Sequence, residues 1–326
     1  MENFWQKLPK PFFVLAPMAD VTDAAFRQIV AKYGKPDVMY TEFVSADGLC
    51  HPEGRKRLLI DLKYGENERP IVVQLFSSNP DKVKEAANLA RELGFDGLDI
   101  NMGCPDRTIE KQGAGAALMK NPRLAQKLVV AAKEGFDGPV SVKTRLGYSS
   151  LGEWENWISA LIETKPASIA VHLRTRNEMS KVPAHWEFAQ SIAGILKNTS
   201  TLAIGNGGVT DLADAKKKAE ENNLDGVMIG EAIFGNPWLF AQKSGLGNSK
   251  KPGLEERLKI MIEHAYLFEE YFRNPSKSSG QVKSFAIMKK FFKAYISGHP
   301  DAKKLQEELM KCENASEVGK VVANFV

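Results

Sequence analysis

One thiol stands apart in the sequence by its setting. Cys104 lies in NMGCP, directly after an apolar run (97–102), with Gly103 before it, Pro105 fixing the departing backbone, and the glycine-rich GAGAA (113–117) downstream. A lone cysteine is usually a buried, inert packing residue, but these neighbours describe a loop. A thiol of ordinary pKa, about 8.5, is mostly protonated at neutral pH, so it can donate a proton as well as act as a nucleophile. No His/Asp partner adjoins it, which disfavours protease chemistry.

Further chemistry-capable residues also end apolar runs. Lys143 interrupts VSVKTR (140–145). It reads either as a solvent-seeking lysine at a strand end or as a cation facing the electron-rich edge of a flavin. Gln74 could hydrogen-bond the same ring. His172, after IAV, is either a satisfied structural histidine or a second donor. Gly207-Gly208 in GNGG and the later Gly230 let backbone N–H groups approach a phosphate, although glycines also simply end strands. Their paired placement after two successive runs favours phosphate binding. There is no H-E-x-x-H or comparable ligand cluster, so no metal is expected.

These residues need a scaffold that brings run ends together. Apolar, β-branched runs cover 12–18, 38–44, 70–76, 97–103, 139–145, 168–174, 201–207 and 226–232. Their spacing is roughly 25–35 residues, one strand plus one helix plus two loops. Eight such units predict an α/β fold, a (β/α)8 TIM barrel, and no G-x-G-x-x-G follows the first run. In a barrel the carboxyl ends of the strands form the active face, where all the residues above fall. GLGNSKKPG (245–253) reads as a linker. Beyond it, helical patterns at 254–272, about 281–297, 301–311 and 315–325 predict a small C-terminal all-helical bundle. The barrel is expected over 1–245 and the helical part over 246–326.

Hydrophobic residues make up 43% of the 326 and charged residues 26%, which excludes a largely disordered chain. No run approaches the roughly 18 apolar residues of a membrane span, and the N-terminal stretch lacks a signal-peptide pattern. Three cysteines without C-x-x-C exclude a disulfide scaffold and a zinc ribbon. A cytoplasmic, monomeric enzyme is the default expectation. Residues 250–326 carry 14 Lys and Arg against 10 Asp and Glu, so the whole surplus of +4 lies there. Either this is the noise of a solvated helical surface or a polyanion touches the tail. Lys283 and Lys290 are expected on one face of the second tail helix, Lys289 and Lys293 on another.

The motifs, in this order, resemble the tRNA-dihydrouridine synthase family: LAPMADVTDAAFR (15–27), VVQLFSSNP (72–80), DGLDINMGCPDRTIEKQGAGAALMKNP (96–122), VSVKTRLG (140–147), VHLRTRNEM (171–179), AIGNGGV (203–209) and MIGEAIFGNPWLF (228–240). The resemblance implies NADPH-dependent, FMN-mediated reduction of the C5=C6 bond of a uridine in tRNA. Carried over by residue, FMN would contact Ala16, Pro17, Met18, Gln74, Lys143, His172, Asn206, Gly207, Gly208, Gly230 and Glu231. Cys104 would be the proton donor. Asn101, Arg145, Arg174 and Arg176 would lie near the uracil or the RNA, with Lys283, Lys289, Lys290 and Lys293 on the tail. Two positions depart from the family. Gly230-Glu231 stands where Gly-Arg is usual, and a carboxylate beside a phosphate repels it unless turned outward. HLRTR stands where HGRTR is usual. The alternatives are another FMN barrel, such as a dihydroorotate dehydrogenase, which needs no basic tail, and a non-catalytic RNA-binding protein, which would be colourless.

Overall fold

The structure, a computed structural model, describes residues 2–241, 252–273, 282–298 and 301–325. Its strands are β1 (Phe12–Leu15), β2 (Met39–Ser45), β3 (Ile71–Phe76), β4 (Gly97–Met102), β5 (Val140–Arg145), β6 (Ser168–His172), β7 (Leu202–Asn206) and β8 (Gly226–Ile229). All pair in parallel, in the order β1-β8-β7-β6-β5-β4-β3-β2. The ring closes where Leu15 N–H donates to Val38 O at 3.0 Å and Asp37 N–H donates to Phe13 O at 2.9 Å. This is the expected TIM barrel. β-Branched sequences such as IVVQLF in β3 suit it, because its strands are buried on both faces.

Parallel strands require crossovers, and local sequence starts their helices. The helices Pro80–Glu92 and Pro122–Gly135 each begin with a capping asparagine followed by proline in the first turn. Inside the ring, Phe12, Val14, Tyr40, Val72, Ala170, Ile204 and Met228 pack together, with Trp5 among them. The register then sets the rim. Gln74 lies opposite Asp99, Asn101 opposite Lys143, Arg145 opposite His172, and His172 opposite Asn206.

The tail forms the helices Leu254–Phe272, Lys289–Ile296, Ala302–Leu309 and Ala315–Ala323, as the periodicity predicts. They share one continuous apolar core with the outside of the barrel. Phe26, on the helix Ala24–Tyr33, meets His264 and Phe291 with ring centroids 5.4 and 5.1 Å apart. Beside it the fully buried Arg27 and Glu68 pair at 2.5 Å. The expected linker lies almost wholly outside the described residues, as do the breaks at 274–275 and 299–300.

The second tail helix differs from expectation. It starts with a 3₁₀ turn at Phe285–Met288, capped by the Ser284 hydroxyl, which accepts from Ala286 N–H at 3.3 Å. Lys283 therefore precedes the helix and shares no helical face with Lys290. Its ammonium instead reaches back to barrel carboxylates, Glu42 at 3.0 Å and Asp61 at 2.6 Å.

Candidate active site at the carboxyl ends of the strands

From β3 to β5 the polar side chains form one chain of hydrogen bonds. The Asn101 Oδ1 accepts from Gly103 N–H at 3.1 Å and Cys104 N–H at 2.9 Å. Its Nδ2 must therefore face the other way, and it donates to Gln74 Oε1 at 3.0 Å. Gln74 Nε2 in turn donates to Asp99 Oδ2 at 2.7 Å, and Ser141 Oγ donates to Asp99 Oδ1 at 2.6 Å. Each amide has one allowed orientation, set by the two backbone donors at one end and the carboxylate at the other. Asp99 was not singled out by sequence reasoning. Its signal was a lone carboxylate inside an apolar run, two residues before Asn101 and hence on the same strand face.

Electrostatics follow from this burial. Asp99 is pushed up to about 6 by desolvation, against its hydrogen bonds and Lys143. Lys143 is pushed down to about 8, first by desolvation and then by Arg145, with Asp99 opposing. Burial raises the Cys104 thiol, with Lys143 and Arg145 opposing, so the proton stays on sulfur at neutral pH. Arg145 was expected near RNA, but it is only 8% exposed and its guanidinium meets three carbonyls. It donates to Gly103 O at 2.8 Å, Thr175 O at 3.1 Å and Met179 O at 2.8 Å, which ties the Cys104 loop to the loop after β6.

From β6 round to β1 the arrangement is a glycine-lined cradle. Gly207 has φ +117°, and a Cβ there would lie 3.1 Å from the His172 ring and 3.3 Å from Ala184. Gly208 has φ +63°, and its Cβ would lie 3.7 Å from Arg174 Nη2. A Cβ on Gly230 would meet Met18 Sδ at 3.3 Å and Ala16 at 3.5 Å. Ala16, Pro17 and Met18 thus face Gly230 across the β1–β8 seam, with Ala16 and Pro17 buried. Asn206 holds the loop by donating to Met228 O at 2.8 Å, and Trp186 Nε1 donates to Gly207 O at 2.9 Å. Among the described residues, the N–H groups of Gly207, Gly208 and Gly230 have no protein acceptor. Glu231 is exposed, which turns its carboxylate outward. Arginine can only donate, so the 2.9 Å contact from Arg174 Nη1 makes His172 Nε2 an acceptor. His172 is then neutral with its proton on Nδ1. Burial, together with Arg145, Lys143 and Arg174, holds its pKa well below the usual histidine range.

Outside this ring Arg176 forks onto Glu110, with Nε 2.9 and 3.0 Å from the two carboxylate oxygens. Tyr148 lies beside it, carrying Lys120 Nζ 3.6 Å and Arg176 Cζ 5.4 Å from its ring centroid. Glu110, Tyr148 and Lys120 were not anticipated. On the tail, Lys293 and Lys290 are exposed and Lys289 half-buried, and Lys290 lies 3.9 Å from Asp20. Lys283, expected as a phosphate contact, is sunk between Glu42 and Asp61. Burial disfavours its ammonium, but Glu42, Asp61 and Asp23 outweigh this and raise its pKa. A depression of about 780 Å³ opens at the opposite end of the strands, beside Lys10, Lys197 and Asp225, and contains none of these residues. Among the described residues, no group of His, Cys, Asp and Glu is set to hold a metal, and no helix is long and apolar enough to cross a membrane.

A closed parallel barrel with a thiol, a half-buried cation and a glycine cradle gathered on its carboxyl rim defines a barrel enzyme. The chain belongs to the dihydrouridine synthase family, whose profile, described as Dihydrouridine synthase (Dus), matches residues 14–325. It is 38% identical over 326 residues to the probable tRNA-dihydrouridine synthase of Staphylococcus aureus (strain COL), covering 99% of this chain and 96% of that one. It is 40% identical to the probable tRNA-dihydrouridine synthase 2 of Bacillus subtilis (strain 168), covering 99% and 97%. Among solved structures, histamine dehydrogenase from Rhizobium sp. 4-9 matches with a TM-score of 0.53 at 14% identity, over 78% of this chain. This chain spans about half of that protein (49%), and the likeness concerns the fold alone.

Proposed function

We propose that this chain is an FMN-dependent tRNA-dihydrouridine synthase that uses NADPH as reductant and Cys104 as proton donor. One observation carries the reading: a protonated thiol on a tied loop, a half-buried lysine and a three-glycine cradle occupy one rim of one barrel. FMN fits that rim. The left-handed Gly207 and Gly208 and their N–H groups suit a phosphate, and a side chain at Gly207 would crowd the His172 ring. Ala16, Pro17, Met18, Gln74, Lys143, His172, Asn206 and Gly230 would hold the remainder. When bound, FMN supplies the hydride that saturates C6 of the uracil.

The chain's own residues complete the reaction. Cys104 gives its Sγ proton to C5, where negative charge develops, and burial keeps that proton in place beforehand. Asn101 holds the Cys104 loop at a fixed height through its two backbone bonds. Lys143 keeps a positive charge beside the thiol, and Asp99 opposes the loss of that charge. In this reading residues 1–245 are the catalytic unit and 246–326 grip tRNA, in a monomer of the cytoplasm. The relatives named as tRNA-dihydrouridine synthases support the substrate.

The purified protein should be yellow, release FMN and not FAD on denaturation, and form dihydrouridine in unmodified tRNA when supplied with NADPH. A protein that cannot be reconstituted with FMN overturns the cofactor. A yellow protein that leaves tRNA unchanged overturns the substrate.

A further inference from the structure

We infer that Arg174 grips the phosphomonoester of the flavin, and so supplies the cation that the outward-facing Glu231 cannot. The inference rests on the FMN reading above, and it moves Arg174 from the RNA to the cofactor.

Two of the three guanidinium nitrogens of Arg174 are already bonded within the protein. Arg174 Nε donates to Val182 O at 2.6 Å and Nη1 donates to His172 Nε2 at 2.9 Å. These bonds fix the plane of the fork. Nη2 is then left beside the cradle, 3.7 Å from where a Cβ of Gly208 would stand. The His172 ring lies closer still to Gly207, 3.1 Å from its notional Cβ. Thus the histidine and the arginine back the two glycines as a pair, and the glycine N–H groups beside them are unbonded within the protein. A phosphate seated there would meet backbone donors and the N–H groups of a pre-oriented Arg174 Nη2, a charge-assisted hydrogen bond.

The other rim cations stand elsewhere, Lys143 on β5 beside the Cys104 thiol. Arg145 is spent on three carbonyls and Arg176 on Glu110. His172 accepts from Arg174 and is uncharged, so Arg174 is the positive charge of the pair. Two phosphates could be the partner: the terminal monoester of a flavin mononucleotide or a diester of the RNA backbone. The position behind Gly207-Gly208 favours the monoester, because this loop is part of the barrel mouth and not of the outer ring where Arg176 and Lys120 stand.

The test compares two flavins that differ only in that phosphate. Apoprotein is titrated with FMN and with riboflavin, followed by flavin fluorescence, without RNA or reductant. Wild type should prefer FMN. Arg174→Gln should weaken FMN binding by about 10- to 100-fold, the range for losing a charged hydrogen-bonded partner, and leave riboflavin binding unchanged. Arg174→Lys should retain part of the preference. If Arg174→Gln keeps the full FMN-over-riboflavin ratio and weakens only tRNA binding, the residue serves the RNA and the inference is wrong. Equal losses for both flavins in both variants also overturn it, since the side chain would then only hold its loop to Val182. A wild type that binds neither flavin would overturn the FMN reading itself.

Discussion

Between β3 and β5 the rim side chains are tied to one another, from Ser141 through Asp99, Gln74 and Asn101 to the N–H of Cys104. From β6 round to β1, by contrast, the N–H groups of Gly207, Gly208 and Gly230 have no protein acceptor. Both arcs have the same strand geometry, and both end in polar residues. The difference is whether the polar atoms are already satisfied. A satisfied arc holds its groups in one geometry at no cost when the reaction occurs, which is what a proton donor needs. An open arc has hydrogen bonds to offer a ligand, which is what a binding site needs. The rim thus divides into a tied arc that ends at the Cys104 loop and an open arc lined by glycines.

The division is broken most strongly at Cys104. Cys104→Ala should lower dihydrouridine formation by about 10²–10⁴, the usual worth of a positioned acid, while flavin content and flavin reduction by NADPH are retained. Single-turnover assays on tRNA, beside flavin bleaching, separate the two effects. Unchanged turnover at saturating reductant would remove Cys104 from the mechanism. Cys50, whose thiol donates to Lys82 O at 3.4 Å, and Cys312, buried in the tail, should tolerate alanine with little change in chemistry.

A pH series tests whether the tied arc is as dry as its geometry indicates. Asp99 titrates near 6 in the folded protein, because burial disfavours its charge, and near 3.9 unfolded. The native state therefore binds this proton more tightly. The group's stabilisation is complete below about pH 4 and is lost as pH rises through about 6. Asp99→Asn does not titrate there. The stability of wild type relative to this variant should thus fall between pH 4 and pH 7, by up to about 3 kcal/mol. Asp23, raised to about 7 mainly by burial and Glu42, is present in both proteins and cancels. Urea titrations across this range measure the difference, and a flat difference would mean that water reaches the arc.

On the open arc, Gly207→Ala should act on stability and on binding and leave the Cys104 thiol unaffected. Its φ of +117° and the His172 ring 3.1 Å away together impose about 1–3 kcal/mol of strain on any side chain there. FMN affinity should fall by roughly 5- to 100-fold. The reactivity of the Cys104 thiol toward alkylating agents in the apoprotein should not change. A matching loss of thiol reactivity would show the arcs to be mechanically coupled.

The sequence made the rim legible because most of the candidate residues lie at or near the end of a β-branched run, and a barrel brings such ends together. The GNGG loop was legible for a related reason, since its last two glycines, Gly207 and Gly208, occupy left-handed conformations. The partners of long charged side chains were not. Lys283 and Glu42 are 241 residues apart, and helical periodicity reports which face is buried without saying what a lysine ahead of the cap reaches. The same limit hid Arg145, whose three carbonyl acceptors belong to two loops. Asp99 was hidden differently, because a carboxylate within LDINM looks like a strand interruption until its three neighbours on the same face are seen.

The smallest expected effect lies on the tail, and the corrected position of Lys283 changes how it must be measured. Removing a buried lysine that holds two carboxylates leaves uncompensated charge, which typically costs about 3–5 kcal/mol, so Lys283 substitutions would report on folding and not on RNA. Lys289, Lys290 and Lys293 on the helix Lys289–Ile296 are the proper set. Phosphate contacts release counterions, so each true contact removed should flatten the log–log salt dependence of tRNA binding by roughly 0.7–0.9. Neutral substitution of all three should raise the apparent tRNA KM without loss of flavin, and NADPH should reduce the flavin at the wild-type rate when tRNA is absent. Lys290, with Asp20 3.9 Å away, should contribute less than the exposed Lys293. Affinity against salt for wild type and the triple variant decides the matter. Coincident lines would make the tail lysines a solvated surface, and the RNA-binding residues would then have to be found on the outer ring, where Lys120 and Arg176 flank Tyr148.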